Sequence, residues 1–118
     1  MKKSSTTLLV FGVYLIGMGL GFLFTPNMVL GIFGIPATDE VWPYVVGALA
    51  LVLAFYYISA ARADLRSFAH WTVPARIGVF VSFVAFVVAG LVGPIMIMLG
   101  SVDLLGALWT RWALQAEG

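Results

Sequence analysis

From Ser4 to Thr38 no residue carries a charge, and from Ile77 to Thr110 only Asp103 does. Apolar runs of this length exceed what one small water-soluble core can enclose, and in hydrocarbon the backbone must satisfy its own hydrogen bonds. The chain is therefore expected to cross a bilayer as helices. Composition agrees: 63% of the 118 residues are hydrophobic and 9% charged, against about 25% charged in an ordinary soluble domain. Mean hydropathy is +1.11. One domain is expected.

Net charge and cysteine count remove several functions. A net charge of +1 offers no basic face able to neutralise a run of phosphates, so nucleic acid is not an expected partner. With no cysteine, disulfides, thiolate metal sites and dithiol redox chemistry have no atoms to work with. The single His70 supplies at most one imidazole ligand, so no metal site is expected. No nucleophile with its base, paired carboxylates or phosphate-binding glycine loop is legible, and an enzyme is the less favoured class.

The fold expected is an all-α integral membrane four-helix bundle with a short interfacial helix between the first two spans. The first span covers 7–24, about 27 Å of helix. Lys2 and Lys3 ahead of it resemble the start of a secretion signal, but the run is long enough to cross and no convincing small-x-small cleavage site follows; we read it as a retained helix. Thr25-Pro26 starts a short helix over 26–33, with Met28, Val29, Ile32 and Phe33 directed inward, and Gly34 with Pro36 stops it. Asp39 and Glu40 precede a second span over 41–61. The segment after it is too long for one crossing and turns at Gly93-Pro94, which places the third span at 74–92 and the fourth at 94–113.

Lys2, Lys3, Arg62, Arg66, Arg76 and Arg111 fall on one side of this arrangement, and Asp39 and Glu40 on the other. The positive-inside rule then places both termini in the cytoplasm of a bacterial inner membrane, with Trp42 and Tyr44 at the outer boundary and Trp71, Trp109 and Trp112 at the inner one. Helix seams are expected at Gly17 and Gly21, at Ala50 and Ala54, and at Ala85, Ala89 and Gly93.

Asp103 is the leading candidate for a functional group, because an acid at mid-bilayer costs about 2.5 to 3.5 kcal/mol and must be neutral, paired or beside a wet cavity. Its neighbours at three and four residues are Leu99, Gly100, Gly106 and Ala107, a largely small stripe that continues to Thr110. Tyr14 lies at similar depth and could donate to it; Tyr57 could line the same cavity. Arg76 reaches the headgroups if its helix begins at Pro74, and enters the bundle to pair with Asp103 if the helix begins nearer Phe68. Asp103 reads equally as a proton or ligand site and as a polar clamp on helix packing.

The stretches GVYLIGMGLGFLF, PNMVLGIFGIP, GALALVLAFYY and GSVDLLGALWTRWAL follow in an order that resembles the DoxX-like superfamily of small four-helix bacterial membrane proteins, including its BphX-like relatives. The resemblance implies a four-helix membrane fold and association with membrane redox complexes or quinone-linked sulfur oxidation. Many relatives carry an acid early in the second span, where Pro43 and Tyr44 stand here. Two functions are carried forward. The first is a module that binds a lipid-like or quinone-like hydrophobic small molecule, or supports a membrane partner, through Asp103, Tyr14, Tyr57 and Arg76. The second is a small proton-coupled transporter acting as a homodimer. Membrane lipids are partners in either case, and no motif names a cofactor.

Overall fold

The computed structural model describes all 118 residues and is entirely helical: α1 (Lys3–Phe24), α2 (Pro26–Ile32), α3 (Trp42–Arg62), α4 (Arg66–Val88) and α5 (Ile95–Ala116). The four longer helices are each long and apolar enough to cross a membrane, and this is a multi-pass helical membrane protein. They run alternately up and down, which brings the basic termini of α1, α3, α4 and α5 to one end. The short α2 packs beneath α1 at the other.

Three helix ends share one device. After α2, α3 and α4 the chain enters the left-handed region at Gly34 (φ +68°), Asp64 (φ +49°) and Gly90 (φ +77°). In each the next amide bonds five residues back, Ile35 to Leu30, Leu65 to Ala60 and Leu91 to Phe86. Asp64 takes a conformation that glycine usually supplies, and its carboxylate accepts the Lys2 amide at 3.0 Å, tying the start of α1 to the α3–α4 turn.

These stops correct the expected third span. It begins at Arg66, eight residues before Pro74, and ends at Val88. Pro74 lies inside α4, on an exposed face, where its ring removes the amide that would have bonded the His70 carbonyl. The turn between α4 and α5 is set by Gly90 as much as by Gly93-Pro94. In α2, Val29 and Leu30 are the buried side chains, joined by Phe33 against Phe22, whereas Met28 and Ile32 face outward.

The helices form two pairs, α1 with α3 and α4 with α5, joined mainly through α1 and α5. The first pair crosses backbone to backbone. A Cβ on Gly47 would lie 2.8 Å from the Gly19 carbonyl oxygen, and one on Gly19 would lie 2.9 Å from that of Gly47. The seam is therefore Gly12, Gly19, Gly47 and Ala54. The expected one fails in part, because Gly17 meets nothing within 4 Å and Gly21 faces Val29 of α2. Ala85, Ala89 and Gly93 also lie on exposed positions, and α5 meets α4 through Gly100 against Phe80 and Phe83.

The core sits in the basic half: Leu8, Phe11, Tyr57, Ala60, Ala61, Ala69 and Leu114 form one buried cluster. At its end Glu117 accepts the Ser4 hydroxyl at 2.7 Å, the Ser4 amide at 3.1 Å and Arg66 Nε at 3.1 Å. Arg66 Nη2 also donates to the Leu114 carbonyl at 2.9 Å. This clasp joins α1, α4 and the end of α5.

Two predictions follow from the packing. Gly47→Ala drives a methyl into the α1 backbone and is expected to lower stability by about 1 to 3 kcal/mol, while Gly17→Ala changes it by less than about 0.5 kcal/mol. Denaturant titration of detergent-solubilised protein, followed by circular dichroism, distinguishes them. Partial burial raises the Glu117 pKa, but the hydrogen bonds from Ser4 and Arg66 outweigh it and hold the carboxyl below its ordinary 4.5. The clasp therefore contributes fully above pH 4.5 and is lost as pH falls through the lower folded-state value. The thermal midpoint of wild type should exceed that of Glu117→Gln near neutrality, and the gap should close on acidification below pH 4.5; a gap constant with pH would refute the clasp.

Candidate functional site

Because α4 begins at Arg66, Arg76 stands about 15 Å along it, deep in the apolar layer. It is 2% exposed and does not reach the headgroups, so the shallow alternative is excluded. Its side chain leans back toward the start of α4, as helix geometry favours. Nε donates to the Thr72 carbonyl at 3.3 Å, and Nη2 to the hydroxyls of Thr72 at 3.0 Å and Thr110 at 2.7 Å. The guanidinium also lies 4.8 Å from the Phe11 ring centroid and 5.7 Å from that of Tyr57. One side chain therefore touches all four membrane-spanning helices.

Proton counting gives the network a direction. Thr7 spends its hydroxyl proton on the Ser4 carbonyl at 2.6 Å, so in the 2.7 Å contact between Thr7 and Thr110 it is Thr110 that donates. Thr110 can then only accept from Arg76. The chain Arg76 to Thr110 to Thr7 to Ser4 runs one way, with each link polarised by the last.

The four residues singled out in the sequence converge on this region, one from each spanning helix. Tyr14 and Tyr57 pack around Phe11, with ring centroids at 5.4 and 5.0 Å, and Tyr57 meets Phe68 edge-on at 5.3 Å. Asp103, half-buried on α5, is within electrostatic reach of Arg76, Tyr14 and Tyr57. The expected bonds do not form, however. The only ion pair in the protein is Arg66 with Glu117, so Asp103 and Arg76 stand more than 4.0 Å apart, and Tyr14 makes no hydrogen bond to the acid.

The pattern of unmet bonds is informative. Arg76 Nη1 and the hydroxyls of Tyr14 and Tyr57 have no hydrogen-bond partner in the protein, and the Asp103 carboxylate has none beyond its own backbone amide, yet no fully enclosed side-chain nitrogen or oxygen lacks one. Each of the four must therefore border reachable space. Gly106 lets the cation and the Phe11 ring approach α5 closely, since a Cβ there would come within 3.0 Å of Nη1 and 3.3 Å of Phe11. Chemically the site offers a fixed cationic donor, an acidic acceptor and two phenols on apolar walls. No cluster of His, Cys, Asp or Glu suited to a metal ion is found. The sequence alone does not show the hydroxyls of Thr72 and Thr110 as partners of Arg76, nor that of Thr7 behind Thr110. The available signal was Thr72 four residues before Arg76, with Thr110 on the Asp103 stripe.

Comparison of the chain with protein-family models, curated proteins and solved structures gives no match.

Thr110→Val should break the directional chain and leave a buried cationic donor short of an acceptor, lowering stability by about 1 to 3 kcal/mol. Thr110→Ser should restore most of it. Equal losses in the two variants, measured by denaturant titration, would mean that packing rather than the hydroxyl carries the contact.

Proposed function

We propose that this chain is a small bacterial inner-membrane module, with both termini cytoplasmic, that binds an apolar small molecule with a polar head, lipid-like or quinone-like, between Arg76, Asp103, Tyr14 and Tyr57. The observation that carries this reading is the set of four unpaired polar groups, one per spanning helix, bordering reachable space at mid-depth. A quinone carbonyl or ester oxygen accepts from Arg76 Nη1, and a hydroxyl or hydroquinone donates to Asp103. Phe11 and the tyrosine rings supply the apolar faces that such a head requires.

The orientation rests on the basic residues gathered at the end opposite Asp39 and Glu40. The resemblance to DoxX-like proteins supports a role beside a membrane redox complex, and the short α2 between the first two spans agrees with it. The binding module is favoured over a transporter because the guanidinium is locked into three hydrogen bonds by residues of two helices, a fixed anchor rather than an exchanging one.

Purified protein titrated with a short-chain benzoquinone should show a raised thermal midpoint, and mild-detergent preparations should retain a stoichiometric hydrophobic molecule in native mass spectra. Asp103→Asn should weaken both while keeping the helical spectrum. Wild type that carries nothing and gains no stability from the quinone or from added phospholipid would refute the proposal.

A further inference from the structure

A second site lies outside this interior. Where α4 begins and α5 ends, the two helices leave a cavity of about 410 Å³ between them. Arg66 and His70 of α4 and Arg111 of α5 line it, over an apolar floor of Val73, Pro74 and Leu114. The spacing follows from helix geometry: 66, 70, 73 and 74 share one face of α4, and 111 and 114 one face of α5.

Its charge is unbalanced. Arg66 spends Nε on Glu117 and Nη2 on the Leu114 carbonyl, leaving Nη1 without a protein partner. No carboxylate lies within ion-pair distance of Arg111. His70 adds an imidazole, which can donate in either protonation state. Pro74 contributes through what it lacks, because the His70 carbonyl beside it has lost its helical amide and is an acceptor for an incoming hydroxyl.

The position selects the source of the anion. Exposed Trp71, Trp109 and Trp112 place this end at a membrane boundary, and the cavity's face of α4 continues to exposed Val81. A phosphate group held by the arginines would then have apolar surface on its membrane side, as a phospholipid requires and a free anion does not. We propose that this cavity is a binding site for the phosphodiester of an anionic glycerophospholipid, with Arg111, Arg66 and His70 on the phosphate and the His70 carbonyl on a headgroup hydroxyl. Basic pockets between membrane helices at the cytoplasmic boundary bind such headgroups by the same physics.

Phosphatidylglycerol is the probe, with phosphatidylcholine as the zwitterionic control and inorganic phosphate as the soluble competitor. In native mass spectrometry of the full chain, phosphatidylglycerol should be retained over phosphatidylcholine. Arg111→Gln, at an exposed position outside the core, should cut that retention about five-fold, and Arg111→Gln with His70→Ala should cut it further at an unchanged circular dichroism spectrum. Arg62→Gln, which removes an exposed cation at the same end of the bundle but outside the cavity, should leave it unaltered, which separates this site from a general attraction of lipid to the basic end. Equal retention of the two lipids, an Arg111→Gln protein that binds like wild type, or displacement of the lipid by millimolar inorganic phosphate would each overturn the assignment.

Discussion

Arg76 converts two helix pairs into one bundle. Lipid supplies no hydrophobic drive between helices, so each pair relies on close backbone contact, Gly19 against Gly47 in one and Gly100 against Phe80 and Phe83 in the other. Neither contact links the pairs. The guanidinium does, by donating to α4 and α5 and lying over rings from α1 and α3. A lone cation at this depth costs about 2.5 to 3.5 kcal/mol, and three hydrogen bonds with a desolvated cation–π contact of about 2 kcal/mol are of the size needed to offset it.

The same anchor explains why the bundle is closed at one end and open at the other. Every buried residue of α4 lies between Ala69 and Arg76, and beyond that point the helix presents Val79, Val81, Phe86 and Val88 outward. In water such a surface would collapse or aggregate; in a bilayer acyl chains cover it at no cost. The α1–α3 pair, by contrast, stays in contact along its whole length because its seam glycines recur from Gly12 to Gly47. Asp103 stands where the closed half gives way to the open one, which is why it is half-buried rather than enclosed.

Much of this was legible in the sequence, because charge-free runs admit few structures in a membrane. The number of spans, the short helix after the first and the gathering of basic residues at one end all follow from where charges are missing. Errors arose where one residue type serves two purposes. Proline at a first helical turn and proline inside a membrane helix read alike, so Pro74 marks the expected start of the third span and the sequence leaves Arg76 open between the headgroups and the bundle interior. Glycines four apart outrank glycines seven apart as a motif, yet Gly12 and Gly19 face α3 while Gly17 faces outward. Spacing along one helix says which residues share a face. It does not say which face has a neighbour.

Asp103 and Arg76 share a region without closing into an ion pair, and the backbone gives the reason. Side chains on a helix lean toward its N-terminus. Since α4 and α5 are antiparallel, that lean carries the guanidinium toward the basic end and the carboxylate toward the opposite one. The threonines complete the separation by holding Nε and Nη2 one turn back along α4 and across on α5. Only Nη1 is left toward Gly106, and the acid projects from the same helix three residues before it. An attraction that neither side chain can reach to satisfy persists at low dielectric, where it is strong. A molecule with an acceptor at one end of its polar head and a donor at the other relieves it without moving a helix.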